Sequence, residues 1–421
     1  MSGKQATDHL LLRNLRDEAD KRRFASFNAA CNNAFEGATC DCLLHHHPET
    51  TQEDYWLIED LTTGEVVSTV CLIPWRASFC GIEIKVAQLE MVLTHRDYRG
   101  RGLVRRLIQN FTQAVKQRGY DLSLIWGIPY YYRQFGFAYS LDGNVLEALP
   151  AWRIPAASGD ARLECRLRPA NLEDIPGLAG LYEQAIRPLD IWLRRSPEFW
   201  AYMLQAAKHP YYIFENAASG VALGYACLVR TEERVLIYES SLVSAESALA
   251  LLQSLGKTTK QEIKIAWPES GILVQIARGL GSQVVPGGQW LLQIPDVANF
   301  LSKLAPVWDA RLAASPWKNL KADVIVNLYR EAHRLSFSGG RLDKVESIGF
   351  VDSSMGADGG HLCIPPEAFL RLVTGYRGLE ELRDAWPDII LHPEVAPLIE
   401  VLFPRLKSYL YTPYHYLGPI E

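Results

Sequence analysis

The stretch from Gln88 to Phe137 narrows the folds open to this chain more than any other. Gln88 to Thr94 is apolar and β-branched and reads as a strand. A basic, glycine-containing turn follows, His95-Arg96-Asp97-Tyr98-Arg99-Gly100-Arg101-Gly102. Leu103, Leu107, Ile108, Phe111 and Val115 then recur at helical spacing, with a stop at Arg118-Gly119 and a second strand from Leu122 to Trp126. A strand, a glycine turn and a helix present backbone N–H groups and the positive end of a helix dipole, a site suited to phosphate or pyrophosphate. Gly100 and Gly102 permit the turn and remove side chains that would hold an anion away, while Arg99 and Arg101 add positive charge. The GxxxxGK[ST] motif is absent, and GxGxxG fails because Arg105 stands at its third glycine.

With 421 residues the chain is long enough for two or three domains. A charged fraction of 22% and a hydrophobic fraction of 48% are those of an ordinary globular protein. The net charge of -5 gives no reason to expect nucleic acid or an anionic membrane as partner. No apolar run approaches the ~18 residues of a membrane span. The first residues lack the apolar core of a signal peptide, so a cytoplasmic protein is expected. Among the 8 cysteines there is no CxxC pair. Cys40-Asp41-Cys42 with His45-His46-His47 has the residue types of a zinc site, but a polar loop with small buried thiols is the reading preferred, and no metal is expected.

Taken in order, Leu11–Arg16 reads as a strand, Asp20–Phe35 as a helix and the segment through Gln52 as a surface loop. Strands are expected at Tyr55–Glu59, Glu65–Trp75 and Gly81–Ala87. Leu149–Gly159, with two prolines and small residues, reads as a linker. Beyond it the pattern restarts. Helical spacing returns at Leu178–Ile186 and Phe199–Leu204, then strands at Tyr211–Glu215, Ala222–Arg230 and Arg234–Leu242, then a helix at Ser247–Leu255. This order is consistent with an internal duplication. In the second copy the place of the phosphate turn is taken by Ser240-Ser241-Leu242-Val243-Ser244-Ala245-Glu246, without glycine or basic residue, so that copy is expected to bind no cofactor. Val297–Leu312 reads as a helix that Pro306 kinks or divides, Val324–Arg330 and Arg334–Ser338 as strands, and Pro366–Val373, Leu379–Trp386 and Val395–Leu402 as helices.

The central stretch resembles motif A of the GNAT acyltransferase superfamily, R-x-x-G-x-G/A after a strand. Arg99 and Gly102 match its first two fixed positions, and Val104 stands where a small residue is usual. Tyr132-Arg133-Gln134-Phe135-Gly136-Phe137 resembles the Y-x-x-hydrophobic-G-F segment that follows it. The Gly102-Leu103-Val104-Arg105 variant is similar to the enhanced-intracellular-survival branch. Ile364 to Phe369, Gly375 to Leu382 and Leu402-Phe403-Pro404 resemble, more loosely, the sterol-carrier-like domain of that branch. The resemblance implies an α/β (α+β) chain of two tandem GNAT-type mixed-sheet domains and a sterol-carrier-like α+β domain. Their expected spans are 1–150 with the cofactor site, 160–295 degenerate, and 296–421.

The resemblance also implies acetyl-CoA as donor, a primary amine as acceptor and direct attack without an acyl-enzyme. The pyrophosphate would lie on the N–H groups of Arg99, Gly100, Arg101, Gly102 and Leu103. The backbone of Val92 and Thr94 would hold the pantetheine. Tyr132 would protonate the leaving thiolate, with Tyr130 and Tyr131 as rivals for that role. Glu90 either helps deprotonate the amine or is a solvated or structurally paired carboxylate. The carboxylate of the last residue, Glu421, would assist at the amine, and the resembled branch forms hexamers, so a homo-oligomer is an implied state. Three alternatives stay open: a non-catalytic acyl-CoA sensor, a lipid-binding protein, and a protein amine in place of a small acceptor such as a polyamine or aminoglycoside.

Overall fold

A computed structural model describes residues 9–143, 146–156, 164–230, 234–259, 261–266, 268, 270–285, 287–352, 359–412 and 414. They divide into two compact units. One has the bounds Met1–Asn32, Thr50–Leu141 and Gln289–Lys407; the other has Asn33–Glu49, Asp142–Gly288 and Ser408–Glu421. Both mix helices with mixed sheets, as the sequence led one to expect.

The first part of the chain supplies strands β1 (Leu10–Asn14), β2 (Tyr55–Asp60), β3 (Glu65–Phe79), β4 (Ile82–Thr94), β5 (Leu122–Ile125) and β6 (Ala138–Asp142). Helices α1 (Glu18–Cys31), α2 (Ala34–His46) and α3 (Leu103–Gln117) lie between them. The expected strands Gly81–Ala87 and Gln88–Thr94 are one continuous strand, β4, paired with β3 almost throughout. Residues 34–46 are a helix, not the expected loop: Asn33 accepts the N–H of Glu36 at 2.9 Å, and Cys40, Leu43 and Leu44 are buried. Cys40 is fully buried, and burial pushes its thiol pKa up. Helix α3 buries Leu103, Leu107, Ile108, Phe111 and Val115 against Val70, Leu72, Ala87 and Leu89 of β3 and β4. Each such side chain contributes about 2 kcal/mol of hydrophobic stabilisation, so the helix carrying the basic turn is firmly seated.

The middle of the chain supplies β7 (Leu146–Pro150), β8 (Cys165–Pro169), β9 (Ile191–Leu193), β10 (Tyr211–Asn216), β11 (Ala222–Arg230), β12 (Arg234–Leu242), β13 (Glu262–Ala266) and β14 (Gln283–Val285). Its helices are α4 (Ile175–Ile186), α5 (Pro197–Ala201), α6 (Ala245–Gly256) and α7 (Ile272–Gly279). The expected linker begins instead with the end of strand β7, where Leu149 is fully buried, followed by a helical turn at Ala151–Arg153. The last part supplies β15 (Gln289–Gln293), α8 (Val297–Lys303), α9 (Ala305–Ala313), β16 (Ala322–Asn327), β17 (Ala332–Ser338), β18 (Arg341–Gly349) and β19 (Leu362–Cys363). It continues through α10 (Pro366–Val373), α11 (Leu379–Ala385), β20 (Ile390–Leu391), α12 (Ala396–Leu402) and β21 (Ser408–Tyr409). Pro306 does divide the expected helix, into α8 and α9.

Sheet order shows an exchange of strands. In the first unit the order is β1-β2-β3-β4-β5-β15-β6, so β15 lies between β5 and β6 and runs antiparallel to β5. In the second unit the order is β14-β7-β13-β12-β11-β10-β8. Strand β7, next in sequence to β6, thus completes the second sheet, and β15, next to β14, completes the first. A further sheet of the first unit has the order β18-β17-β16-β19-β20. Among the described residues no helix is long and apolar enough to cross a membrane.

Candidate acyl-CoA cleft

The site begins with a defect in β4. Thr69 pairs with Leu93 and Cys71 with Glu90, so one residue of β3 faces two of β4. Met91 takes a φ of +53°, uncommon for a side chain of its size, and the Thr69 hydroxyl donates to its carbonyl at 2.9 Å. The parallel ladder between β4 and β5 covers only Val86–Gln88 against Leu122–Leu124. Beyond it β4 runs on to Thr94 with no strand among the described residues beside it on the β5 side. The bulge and the end of the ladder leave a wedge whose lining includes Val92 and Thr94.

The basic turn closes one end of this wedge. Arg96–Tyr98 forms a helical turn, and the Tyr98 hydroxyl donates to Asp60 at 2.7 Å. Gly100 and Gly102 hold φ values of +78° and +74°, in the left-handed region that favours glycine. Gly102 is the N-cap of α3 and brings no capping side chain, so the first N–H groups of the helix have no partner from their own cap. Three arginines surround the turn. Arg99 reaches the Thr94 carbonyl at 3.4 Å, Arg101 lies over the Tyr98 ring at 4.7 Å, and Arg105 donates to Gln134 at 3.0 Å.

Another part of the lining is the turn Tyr131–Phe135, framed by Tyr130 and Gly136 at positive φ. The three consecutive tyrosines differ sharply. Tyr130 is 75% exposed with Arg133 over its ring, while Tyr132 is 6% exposed and edge-on to Tyr131 and Phe137. Burial, with a smaller contribution from the negative charge of Glu90, raises the Tyr132 pKa well above the ordinary 10.0. Its hydroxyl therefore stays protonated through neutral pH. The ring lies on Gly127, where a Cβ would fall 2.2 Å from Tyr132 Cδ2. The turn is also tied to β15: Gln293 Nε2 donates to the Phe135 carbonyl at 2.8 Å, and Ser123 of β5 donates to Gln293 Oε1 at 3.3 Å.

Together these parts enclose a cleft of about 630 Å³. Of the residues singled out from the sequence, Val92, Thr94, Arg99, Gly100, Gly102, Leu103 and Tyr132 all line it. Arg101 stands behind, on Tyr98, and Glu421 lies outside the described residues. Tyr131 lines the cleft as well. Sequence reasoning missed Gly127, Met91 and Gln293. Gly127, directly after a strand, was a readable signal of close approach, whereas nothing in the sequence links Gln293 to a turn 158 residues away. Among the described residues no group of three or more His, Cys, Asp or Glu is arranged to hold a metal ion.

Residues 15–140 match the family described as acetyltransferase (GNAT) domain. No curated sequence matches the chain. Among solved structures, a probable N-acyltransferase of unknown function from Enterococcus faecalis V583 is similar at TM-score 0.72 and 15% identity, covering 96% of this chain and 99% of that one. A GCN5-related N-acetyltransferase from Anabaena variabilis is similar at TM-score 0.67 and 16% identity, covering 95% and 99%. Eis1 from Mycobacterium abscessus is similar at TM-score 0.62 and 17% identity, covering 96% and 99%. At these identities the likeness is one of fold.

Proposed function

We propose that this chain is an N-acetyltransferase that transfers the acetyl group of acetyl-CoA directly to a primary amine. The observation that carries the reading is the uncapped N-terminus of α3 behind the Gly100 and Gly102 turn, opening into a cleft that ends at the buried Tyr132. In this reading the pyrophosphate rests on the N–H groups of Arg99 to Leu103, where the helix dipole and Arg99 favour it. Val92 and Thr94 hold the pantetheine by their backbone and polarise the thioester carbonyl. Amine and thioester, brought together, react at high effective concentration. Tyr132, kept protonated by burial, gives its proton to the departing thiolate. We further assign the last carboxylate, Glu421, to the amine, and regard residues 1–150, 160–295 and 296–421 as two GNAT-type domains and a sterol-carrier-like one, a division of ancestry that the exchanged strands cross.

The test is turnover of acetyl-CoA against a panel of amines: spermidine, kanamycin and a lysine-containing peptide. Release of CoA with at least one of them is expected. Binding of acetyl-CoA without turnover of any amine would favour a sensor instead. Deleting 416–421 should lower turnover while leaving acetyl-CoA binding intact; full activity of the shortened chain would remove Glu421 from the mechanism.

A further inference from the structure

The turn Tyr131–Phe135 is tied to the rest of its unit in two ways that differ in kind. One tie comes from β15 and β5: Gln293 donates to the Phe135 carbonyl and Ser123 to Gln293, with Ser123 fully buried. The other comes from α3. Arg105 Nη2 donates to Gln134 Oε1 at 3.0 Å, and its guanidinium lies over the Phe135 ring at 5.4 Å. Arg105 and Gln134 are both exposed, and both line the cleft. Gln134 is steadied by its own turn, its Nε2 donating to the Tyr131 carbonyl at 3.1 Å.

Arg105 stands where a cation is out of place. It is the third residue of α3, whose first turn carries no acid. The dipole at a helix start favours negative charge, and α1 and α6 follow that rule with Glu18 and Asp20 and with Glu246. A guanidinium at the same point of α3 is disfavoured until an anion joins it. The neighbouring arginines are engaged with backbone: Arg99 with the Thr94 carbonyl, Arg101 with that of Asp97 and Arg106 with that of Leu10. Of these four, Arg105 is the one that donates to a side chain in the lining of the cleft.

The bond it makes there is of a kind that exchanges readily. The acceptor is a neutral amide oxygen in contact with water, and it takes a single N–H. A phosphate group offers several charged oxygens, which the planar fork of a guanidinium meets in pairs, and such bonds are about twice as strong. The turn does not depend on Arg105 to stay in place, because the buried tie from Gln293 holds it from the other side.

We propose that Arg105 is a further cofactor-binding residue, held by Gln134 before acyl-CoA binds and transferred to one of its phosphate groups on binding. The inference rests on the acyl-CoA part of the acetyltransferase reading and deepens it. Gln134 then competes with the cofactor for one guanidinium, and the apparent affinity is lowered by the fraction of Arg105 that Gln134 holds. The pyrophosphate and the 3′-phosphate of the ribose share the chemistry that recognises Arg105.

The experiment is calorimetric titration of the full chain with acetyl-CoA and with acetyl-dephospho-CoA, which lacks the 3′-phosphate. Arg105→Met should weaken acetyl-CoA binding about tenfold, the scale of one hydrogen bond to a charged group; Arg105→Gln stands in should that variant not fold. Gln134→Ala removes the competitor and should tighten binding, by about threefold. Added to Arg105→Met it should change nothing, since both act through one guanidinium. The opposite signs are the signature, because a bond that merely braces the cleft would weaken binding when broken from either side. A loss in Arg105→Met that vanishes with acetyl-dephospho-CoA assigns the 3′-phosphate, and an equal loss with both ligands assigns the pyrophosphate. Affinity unchanged in Arg105→Met, or not raised in Gln134→Ala, would overturn the transfer while leaving the cofactor site intact. A wild-type chain that binds neither ligand would overturn the acetyltransferase reading, and the transfer with it.

Discussion

The β4–β5 pair of the first unit and the β12–β13 pair of the second are built on one plan. In each, a strand is paired antiparallel on one side and parallel on the other, the parallel ladder stops early, and a bulge interrupts the antiparallel side. The ladder ends at Gln88 and Leu124 in the first and at Ile237 and Ile265 in the second, with the bulges at Met91 and Tyr238. The outcomes are opposite. In the second unit the Tyr409 hydroxyl donates to the Tyr238 carbonyl at 3.0 Å and lies 3.3 Å from the Ala266 carbonyl, one from each strand. Helix α6 is closed by its own residue, the Ser244 hydroxyl accepting the Ser247 N–H at 3.1 Å. In the first unit helix α3 begins at an uncapped glycine and a cleft remains. A splayed strand pair is thus not a binding site by itself. A cleft is left where the chain withholds the groups that would satisfy its backbone.

Changing the helix entrance should break the comparison most completely. Gly102→Glu forces a side chain into the left-handed region and places a negative charge where the pyrophosphate is to sit. Calorimetry should show acetyl-CoA binding abolished, whereas Ser244→Glu, at the corresponding point of the second sheet, should leave it unaltered. Unchanged affinity in the first variant would mean that the cleft is not a cofactor site.

Next in size is Tyr132→Phe, which keeps the ring packed and removes the proton. kcat should fall by about 10²-fold or more, the range of lost general acid catalysis, with acetyl-CoA affinity retained. Because burial raises the folded-state pKa of Tyr132, its acid form persists at and above pH 10.0, its ordinary value. Wild-type activity should therefore show no descending limb below that pH; one centred near 8 would transfer the role to another group. Gly127→Ala should act on the same residue from beneath, by displacing its ring. Overpacking of this kind costs about 1–3 kcal/mol of stability, and the denaturation midpoint and kcat should fall together. A stable variant with normal kcat would mean that the ring position does not matter.

The smallest effect belongs to the closed wedge. Tyr409→Phe removes one buried hydrogen bond and should lower stability by about 1 kcal/mol, without altering acetyl-CoA affinity. A second equivalent of acetyl-CoA bound by this variant would show that a single hydroxyl separates the two wedges.

How much of this was legible in the sequence follows from the range of the interactions. Helix α3, its stripe from Leu103 to Val115 and the Gly100–Gly102 turn are local, and the periodicity located them closely. So are the strands that became β10, β11 and β12 and the helix Pro366–Val373. Helix α2 was not legible because its apolar residues form no single stripe and Gly37 and the histidines read as loop. The motif singled out Tyr132 over Tyr130 and Tyr131, but the burial of Tyr132 and the exposure of Tyr130 are not encoded by adjacent positions in a sequence. The bulge at Met91 and the tie from Gln293 depend on pairing partners that only the folded sheet provides.

The exchanged strands bear on how such a chain is made. Gln293 of β15 braces a turn 158 residues before it, and β15 itself separates β5 from β6. During synthesis the segment carrying the cleft leaves the ribosome long before the strand that completes its sheet. Until that strand emerges, β5 presents an open edge with unpaired N–H and C=O groups, the kind of edge that invites foreign strands. The N-terminal region therefore cannot finish folding first and wait for the rest, as domains made in order generally do. A ribosome stalled anywhere before Gln289 holds a cleft without its brace.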